Sequence, residues 1–280
     1  MLSQTRHRRG TATQPRVAAR RFAPKVESGL PLIDALERLP HPVVALARDY
    51  PADHMIEWHR HLRGQLVYAS TGVMQVRTPD GIWVVPPLRA VWVPSAVPHE
   101  ICMATAVGMR TLYVDGTRCA ALPARSCLVD VSPLLRELIL RLMDKEVARN
   151  PGYAAMAELA LLEIRGLDNA PLRIALPDDP RARKVCDALL QDPSDGRTCE
   201  QWGTHVGASP RTLERLFAKQ AHMSFSMWRR HARLLEAMSR LAAGTPVTRI
   251  AHELGYDSPS AFTAMFRKAL GAPPSEYFRQ

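Results

Sequence analysis

The chain repeats itself once near its C-terminal end. "WGTHVGASPRTLERLFAKQ" (202–220) and "IAHELGYDSPSAFTAMFRKAL" (250–270) run parallel at an offset of about 48 residues, with one insertion after the glycine. Gly207 aligns with Gly255; Leu213, Leu216 and Phe217 align with Phe262, Met265 and Phe266; Lys219 aligns with Lys268. A period this long marks a duplicated supersecondary unit. Each copy reads as helix, glycine turn, helix. The glycine admits a left-handed backbone that a Cβ resists. Ser209-Pro210 and Ser258-Pro259 then supply an N-cap and a first-position proline. In the first copy Leu213, Leu216 and Phe217 hold the second helix inward. Arg211, Thr212, Glu214, Arg215 and Ala218 are left on the other face, and Arg211 and Arg215 project together at i, i+4. Between the copies, "SMWRRHARLLEAMSRLAAG" (226–244) places Trp228, Ala232, Leu235, Met238 and Leu241 on one side. A strut of about 16 residues spans roughly 24 Å. That suits two reading helices set about 34 Å apart, one turn of B-DNA.

Charge agrees with a polyanionic partner. The net charge is +10 over 280 residues, and its placement matters more than its sum. Residues 1–25 hold seven Lys and Arg and no acid; residues 26–180 hold fifteen against eighteen acids; residues 181–280 hold fifteen against nine. The positive excess lies in an N-terminal tail, expected to be disordered, and in the repeat region. No apolar run approaches the ~20 residues of a membrane span, and no secretory pattern precedes the first strands, so no membrane partner is expected. The five cysteines are odd in number and lack CxxC spacing, which points to a reducing cytoplasm rather than to disulfides.

The middle of the chain has a different period. Over 42–115, "QLVYAS", "GVMQVRT", "GIWVVPP" and "AVWVPS" are short strand-like runs separated by turn signals at Thr71-Gly72 and Pro79-Asp80-Gly81. Many short strands imply a sandwich or barrel. From Ser132, an N-cap followed by Pro133, the period becomes helical: Leu134, Leu135, Leu138, Ile139 and Leu142 form one stripe. A second helix is expected from about Tyr153 to Leu167, after the break at Asn150-Pro151-Gly152. These amphipathic helices need a partner surface, either their own barrel or a second copy, and a homodimer is the favoured expectation. "DNAPLRIALPDDP" (168–180) reads as an interdomain linker.

Within the β region, "WHRHLRGQLVYASTG" (58–72) and "VPSAVPHE" (93–100) carry His59, His61 and His99. On a strand, His59 and His61 would face the same way, into the barrel, with His99 arriving from a neighbouring strand. Three imidazoles and one oxygen ligand suit Zn, Ni, Fe or Mn. The same residues could instead line a metal-free effector pocket. Of Trp58, Trp83 and Trp92, two are expected in the core.

Residues 181–280, and "IAHELGYDSPSAFTAMFRKALGAPPSEYFR" above all, resemble the DNA-binding region of the AraC/XylS family of transcription regulators. The histidine segments resemble the two cupin motifs. The resemblance implies two motifs, 199–220 and 247–270, entering successive major grooves of double-stranded DNA. It implies base readers at Arg211, Glu214 and Arg215, and matching positions Ser260, Ala261, Thr263 and Ala264 in the second copy. Many relatives carry a long polar residue where this chain has Ala264, so the second helix is expected to give methyl packing and phosphate contacts. Thr212 and Lys219 join the first face, and Arg267, Lys268 and the helix start at Ser258 suit phosphate. The cupin resemblance puts Gln65 at the fourth ligand position, where metal-binding members usually have Glu.

The reading is therefore an α+β chain: an N-terminal cupin β-barrel (26–130), two amphipathic helices (131–167), a linker (168–180) and an all-α double helix-turn-helix (181–280). Its function is sequence-specific transcription regulation, with a small-molecule or metal effector sensed in the barrel and relayed by the helices at 132–167. It is not read as an enzyme; RNA polymerase is a partner if it activates. The alternatives are a metal-dependent cupin enzyme fused to a DNA-binding module, and a helical module making only protein contacts.

Overall fold

The computed structural model describes residues 35, 37–39, 41–79, 81–144, 151–164, 166–167 and 173–277. The basic tail 1–25, Asp80 and the segment 168–172 lie outside them. In chain order the strands are β1 (Val43–Tyr50), β2 (Met55–His59), β3 (Gly64–Thr71), β4 (Met74–Thr78), β5 (Gly81–Val85), β6 (Arg89–Val93), β7 (His99–Met103), β8 (Val107–Val114), β9 (Cys127–Asp130), β10 (Gly166–Leu167) and β11 (Arg173–Ala175). They form two facing antiparallel sheets, β1-β8-β3-β6-β9-β10 and β11-β5-β4-β7-β2, in an open barrel. The helices are α1 (Pro133–Leu142), α2 (Tyr153–Glu163), α3 (Pro180–Gln191), α4 (Cys199–Val206), α5 (Pro210–Leu216, continued by a π turn over Phe217–Ala221), α6 (Phe225–Ala242), α7 (Val247–Glu253), α8 (Pro259–Leu270) and α9 (Pro274–Tyr277).

Directly paired residues share a sheet face, so register assigns inside and outside. In the first sheet Gln65 pairs with Val93 and Tyr113, and Val67 with Val91 and Thr111, on the inner face. Leu66, Trp92 and Leu112 point outward onto α1 and α2, in a cluster with Leu135, Ile139, Ala160 and Leu161. In the second sheet Val76, Trp83 and Ile101 share one face, and Gln75, Val84 and Cys102 the other. Gln75 and Ile82 border a small crevice closed by Leu190 of α3 and by Ala232, Leu235 and Glu236 of α6. Gln75 Nε2 donates to Ser239 Oγ at 3.3 Å. The helical module thus docks directly on the β4–β5 side, and its core is continuous with the barrel interior. Helices α1 and α2 lie on the other sheet. The reading module therefore touches a sheet that these helices do not cover.

Several local readings shift. The expected linker contributes β11, which pairs with β5 from Arg173↔Trp83 to Ala175↔Gly81. Its Ala175 carbonyl accepts from the buried Trp228 Nε1 at 2.8 Å. The second helix stops at Glu163, Ile164 turns extended and buried, and Gly166–Leu167 pairs with β9. α2 has no single apolar stripe: it buries Ala157, Ala160 and Leu161 while leaving Leu159 and Leu162 exposed alongside Glu158. Leu134 of the expected stripe is exposed too. Gly72 has the positive φ of a tight turn, +79°. Gly81 does not; it is the first residue of β5, and its smallness serves the approach of β11, because a Cβ there would meet Ile174 O at 2.9 Å. Trp83 and Trp92 are core residues and Trp58 is half-buried.

Candidate functional site

The two helix-turn-helix copies are built as their spacing demands. Gly207 and Gly255 sit at φ +69° and +70°. Ser209 accepts from Thr212 N at 3.2 Å and Ser258 from Ala261 N at 3.1 Å, each with proline at the first helical position. Leu213, Phe217, Phe262 and Phe266 are fully buried. α6 has 18 residues, roughly 27 Å of helix, and buries Trp228, Ala232, Leu235 and Met238. Gly203 was not singled out by the sequence, yet it is the tightest point of the first copy: a Cβ there would lie 2.5 Å from Ala208 O.

The outward faces separate the basic residues into two groups. Arg229, Arg233, Arg240 and Arg249 are bound to carbonyls or carboxylates. Arg211, Arg215, Lys219, Arg267 and Lys268 are exposed, and none has a side-chain hydrogen bond or ion pair among the described residues. An unpaired surface cation keeps its donors for an external acceptor. Ser260, Ala261 and Ala264 are exposed and Thr263 half-exposed, and Ser260, Thr263, Ala264, Arg267 and Lys268 line an open concavity along α8. Two residues of the expected DNA-binding face also bond within the protein. Thr212 Oγ1 lies 2.9 Å from the capping Ser209 Oγ. Glu214 is exposed on the same face, and its Oε2 accepts from Phe225 N at 3.4 Å, at the N-terminus of α6, where a carboxylate meets the positive end of the helix dipole. It also lies beside Cys199, whose thiol is pushed up to about 11 by burial and by that carboxylate.

The barrel chamber gathers the histidines. His59 ends β2 and faces His99 across the β2–β7 pair. His61 is not on a strand; it follows β2, buried between exposed Arg60 and Leu62, and its carbonyl accepts from Ala96 N at 2.9 Å. The rings still converge, with centroids 4.3 Å apart for His59–His99 and 5.1 Å for His61–His99. Every Nδ1 contacts a backbone carbonyl: Glu57 O at 2.8 Å, Arg63 O at 2.5 Å and Val97 O at 2.9 Å. A carbonyl only accepts, so each Nδ1 carries the hydrogen and each Nε2 presents a lone pair. Gln65 Oε1 lies 3.1 Å from His61 Nε2 and 2.9 Å from His99 Nε2. Its amide nitrogen donates to Thr111 Oγ1 and Tyr113 OH, partners the sequence did not reveal although both are inward strand residues two apart. Burial lowers His59 to about 4 and lowers His61; burial and the neighbouring imidazoles hold His99 well down. Protons are therefore poor counterparts for this set of acceptors.

The donor set fits a divalent ion: one ligand atom from each histidine lies within 4.8 Å of the others, and the amide oxygen is already turned inward. Carbonyls that accept from the Nδ1–H groups are the usual way to fix ligating imidazoles. Turning the Gln65 amide over gives the metal-free alternative, with the NH2 group satisfying two of the imidazoles.

Residues 40–191 match the family described as AraC-like ligand binding domain, and residues 202–280 match a helix-turn-helix domain family. The HTH-type transcriptional regulator NimR of Escherichia coli K12 is 31% identical over 221 residues, covering 78% of this chain and 81% of its own. The HTH-type transcriptional regulator RipA of Corynebacterium glutamicum is 36% identical over 102 residues, 36% of this chain and 31% of its own. Among solved structures, ToxT from Vibrio cholerae superposes with a TM-score of 0.38 at 8% identity, covering 85% of this chain and 98% of that one.

Proposed function

Because the chain belongs to the AraC/XylS family of helix-turn-helix transcription regulators, with an AraC-like ligand-binding domain before the DNA-binding one, we propose that it reads DNA mainly through α5 and anchors it through α8. The observation that carries this is that Arg211, Arg215 and Lys219 on α5 and Arg267 and Lys268 on α8 are exposed and, among the described residues, keep their donors free. Arg211 and Arg215 reach base edges in the major groove, where a guanidinium pairs with guanine O6 and N7. Lys219, Arg267, Lys268 and the start of α8 at Ser258 hold phosphate. Ser260, Ala261, Thr263 and Ala264 offer methyl and hydroxyl contacts. The domain division proposed with it is barrel (26–130), helical pair (131–167) and reading module (181–280), the last packed against the barrel through β11 and β5.

In this reading the barrel is the sensor. His59, His61, His99 and Gln65 would hold Zn, Ni, Fe or Mn, and the ion would supply a positive centre for an effector. Four neutral donors leave its charge uncompensated, which favours an anionic small molecule. A signal has a short route out: β7 carries His99 inward and pairs with β4, whose Gln75 bonds Ser239 of α6. Exposed Leu134, Leu159 and Leu162 on α1 and α2 suit a second copy of the chain, giving a homodimer on repeated half-sites. Among the described residues no helix is long and apolar enough to cross a membrane. RNA polymerase becomes a partner where binding activates.

The test is selection of duplexes from a random library by the full chain, with zinc and with chelator. Enrichment of one two-part sequence, altered in yield by zinc, is the expected result. No enrichment in either condition overturns the DNA reading; oxygen uptake with candidate substrates would move the barrel to the enzyme class.

A further inference from the structure

Arg233 lies midway along α6 and bonds at once the loop that leads into the first helix-turn-helix copy and the turn of the second. Its Nε donates to Pro193 O at 2.8 Å, and its Nη2 reaches Ser194 O at 3.5 Å, in the loop that leads into α4. Its Nη1 reaches Gly255 O at 3.5 Å, in the turn between α7 and α8, and its guanidinium carbon lies 5.5 Å from the centroid of the Tyr256 ring. Gly255 is hemmed in by this contact. A Cβ there would stand 3.3 Å from both Arg233 Nη2 and Ser194 O, so the loop before the first copy and the turn of the second approach each other around one guanidinium. One turn earlier, Arg229 donates to Arg197 O at 3.0 Å. Arg197 in turn pairs with Asp195 and stacks 3.6 Å from the Trp202 ring of α4. The loop 193–197 is thus fastened to α6 at two points, and one of them is shared with the second copy.

We infer that Arg233 is the positioning residue that fixes the separation of the two reading helices, and with it the spacing of the two halves of the DNA site. The inference rests on both copies contacting DNA. The chemistry of α8 makes the spacing matter. Its face is Ser260, Ala261, Thr263 and Ala264, with Arg267 and Lys268 beside them, so it adds affinity chiefly through phosphates. Those phosphates lie where α8 can reach them only if its offset from α5 is held. One base pair moves them about 3.4 Å along the axis and about 35° around it. A planar fork is suited to the task, because it binds carbonyls in two directions from one rigid group. Lysine presents a single ammonium on a flexible stem and keeps at most one side of the bridge.

The experiment uses the full chain and the duplex it selects, together with versions carrying one base pair inserted or removed between the two halves. Wild type is expected to lose about tenfold or more in affinity for each change of spacing, comparable to a mismatched base pair. Arg233→Met and Arg233→Lys are expected to bind the original duplex less tightly and to reduce that penalty to about threefold or less, because α8 is then free to follow the shifted backbone. Arg233→Lys serves as the reading if Arg233→Met does not fold, and urea unfolding of each variant tracks stability separately. A spacing penalty unchanged in either folded variant, whatever its affinity, overturns the assignment, as does a wild-type chain indifferent to spacing. A wild type that selects no duplex at all overturns the DNA reading and this inference with it.

Discussion

Salt separates the two kinds of cation on the reading face. Each phosphate neutralised by Lys or Arg releases condensed counterions, and log K falls against log salt with a slope of about −0.9 per contact on B-DNA. Lys219, Arg267 and Lys268 are exposed and without a described side-chain partner, so each is available to one phosphate. Three contacts give a slope of about −2.7 per chain, and a fourfold rise in salt then weakens binding about 40-fold. Lys268→Gln should bring the slope to about −1.8 and that loss to about 12-fold, with little change in sequence preference. Arg215→Ala should weaken the selected duplex by about 1–3 kcal/mol and relax the choice of base at one position. Fluorescence anisotropy across a salt series, on selected and scrambled duplexes, measures both. Differences between variants cancel whatever the tail 1–25 adds. A flat salt response, or an Arg215→Ala variant that loses equally on both duplexes, would refute the division into base readers and phosphate anchors.

Three further outcomes follow from the same geometry. Gly203→Ala should cost more than about 2 kcal/mol, because its Cβ runs into the Ala208 carbonyl at 2.5 Å. Gly207→Ala meets nothing within 4 Å and should cost only the ~1–2 kcal/mol of a left-handed backbone; urea midpoints in the reverse order would sink this account of the turn. Leu159→Glu combined with Leu162→Glu should convert a dimer to monomer by sedimentation while leaving stability within about 0.5 kcal/mol, since both side chains are exposed in the single chain; a monomeric wild type removes the dimer proposal. Gln65→Glu should tighten zinc binding about tenfold or more in chelator competition, by placing a carboxylate at a position already aimed at His61 and His99. No zinc bound by either form would mean that the amide is turned over and the chamber is metal-free.

The duplication was legible because its signals are local. A glycine at positive φ, a serine cap, a first-position proline and an apolar i, i+3, i+4 triplet each follow from backbone geometry, and they recur together. The histidine chamber was half legible. His59 and His99 stand where strand alternation puts them, but His61 reaches the cluster from a turn after β2 has ended. Thr111 and Tyr113 gave no cue, since an inward threonine and tyrosine on a β-strand read as filling until Gln65 is found between them. Glu214 occupies the helix face its spacing predicts, and the contact of its carboxylate with the N-terminus of α6, eleven residues ahead, is a feature no local pattern shows.

The docking of the reading module on the barrel was hidden for a more general reason. Along β4, Met74, Val76 and Thr78 alternate with Gln75 and Arg77, the pattern of a sheet with one face in water. Gln75 is nevertheless only 5% exposed and Arg77 7%. Gln75 is bonded across to α6, and Arg77 pairs with Glu100 at 2.9 Å away from solvent. Period-2 polarity reports what a face could tolerate, not what covers it. A docking face of this kind also has a mechanical consequence. Interfaces between domains that separate and rejoin are more polar than permanent cores. Here Gln75 of β4 and Glu236 of α6 line the crevice from opposite sides, among Ile82, Leu190, Ala232 and Leu235, and Glu236 is held by Arg240, which also bonds Glu253 of α7. The barrel sheet that carries His99 inward is thereby joined through polar contacts to the first helix of the second DNA motif. Where this seam opens, its polar contacts exchange for water at far lower cost than the leucines packed beside them.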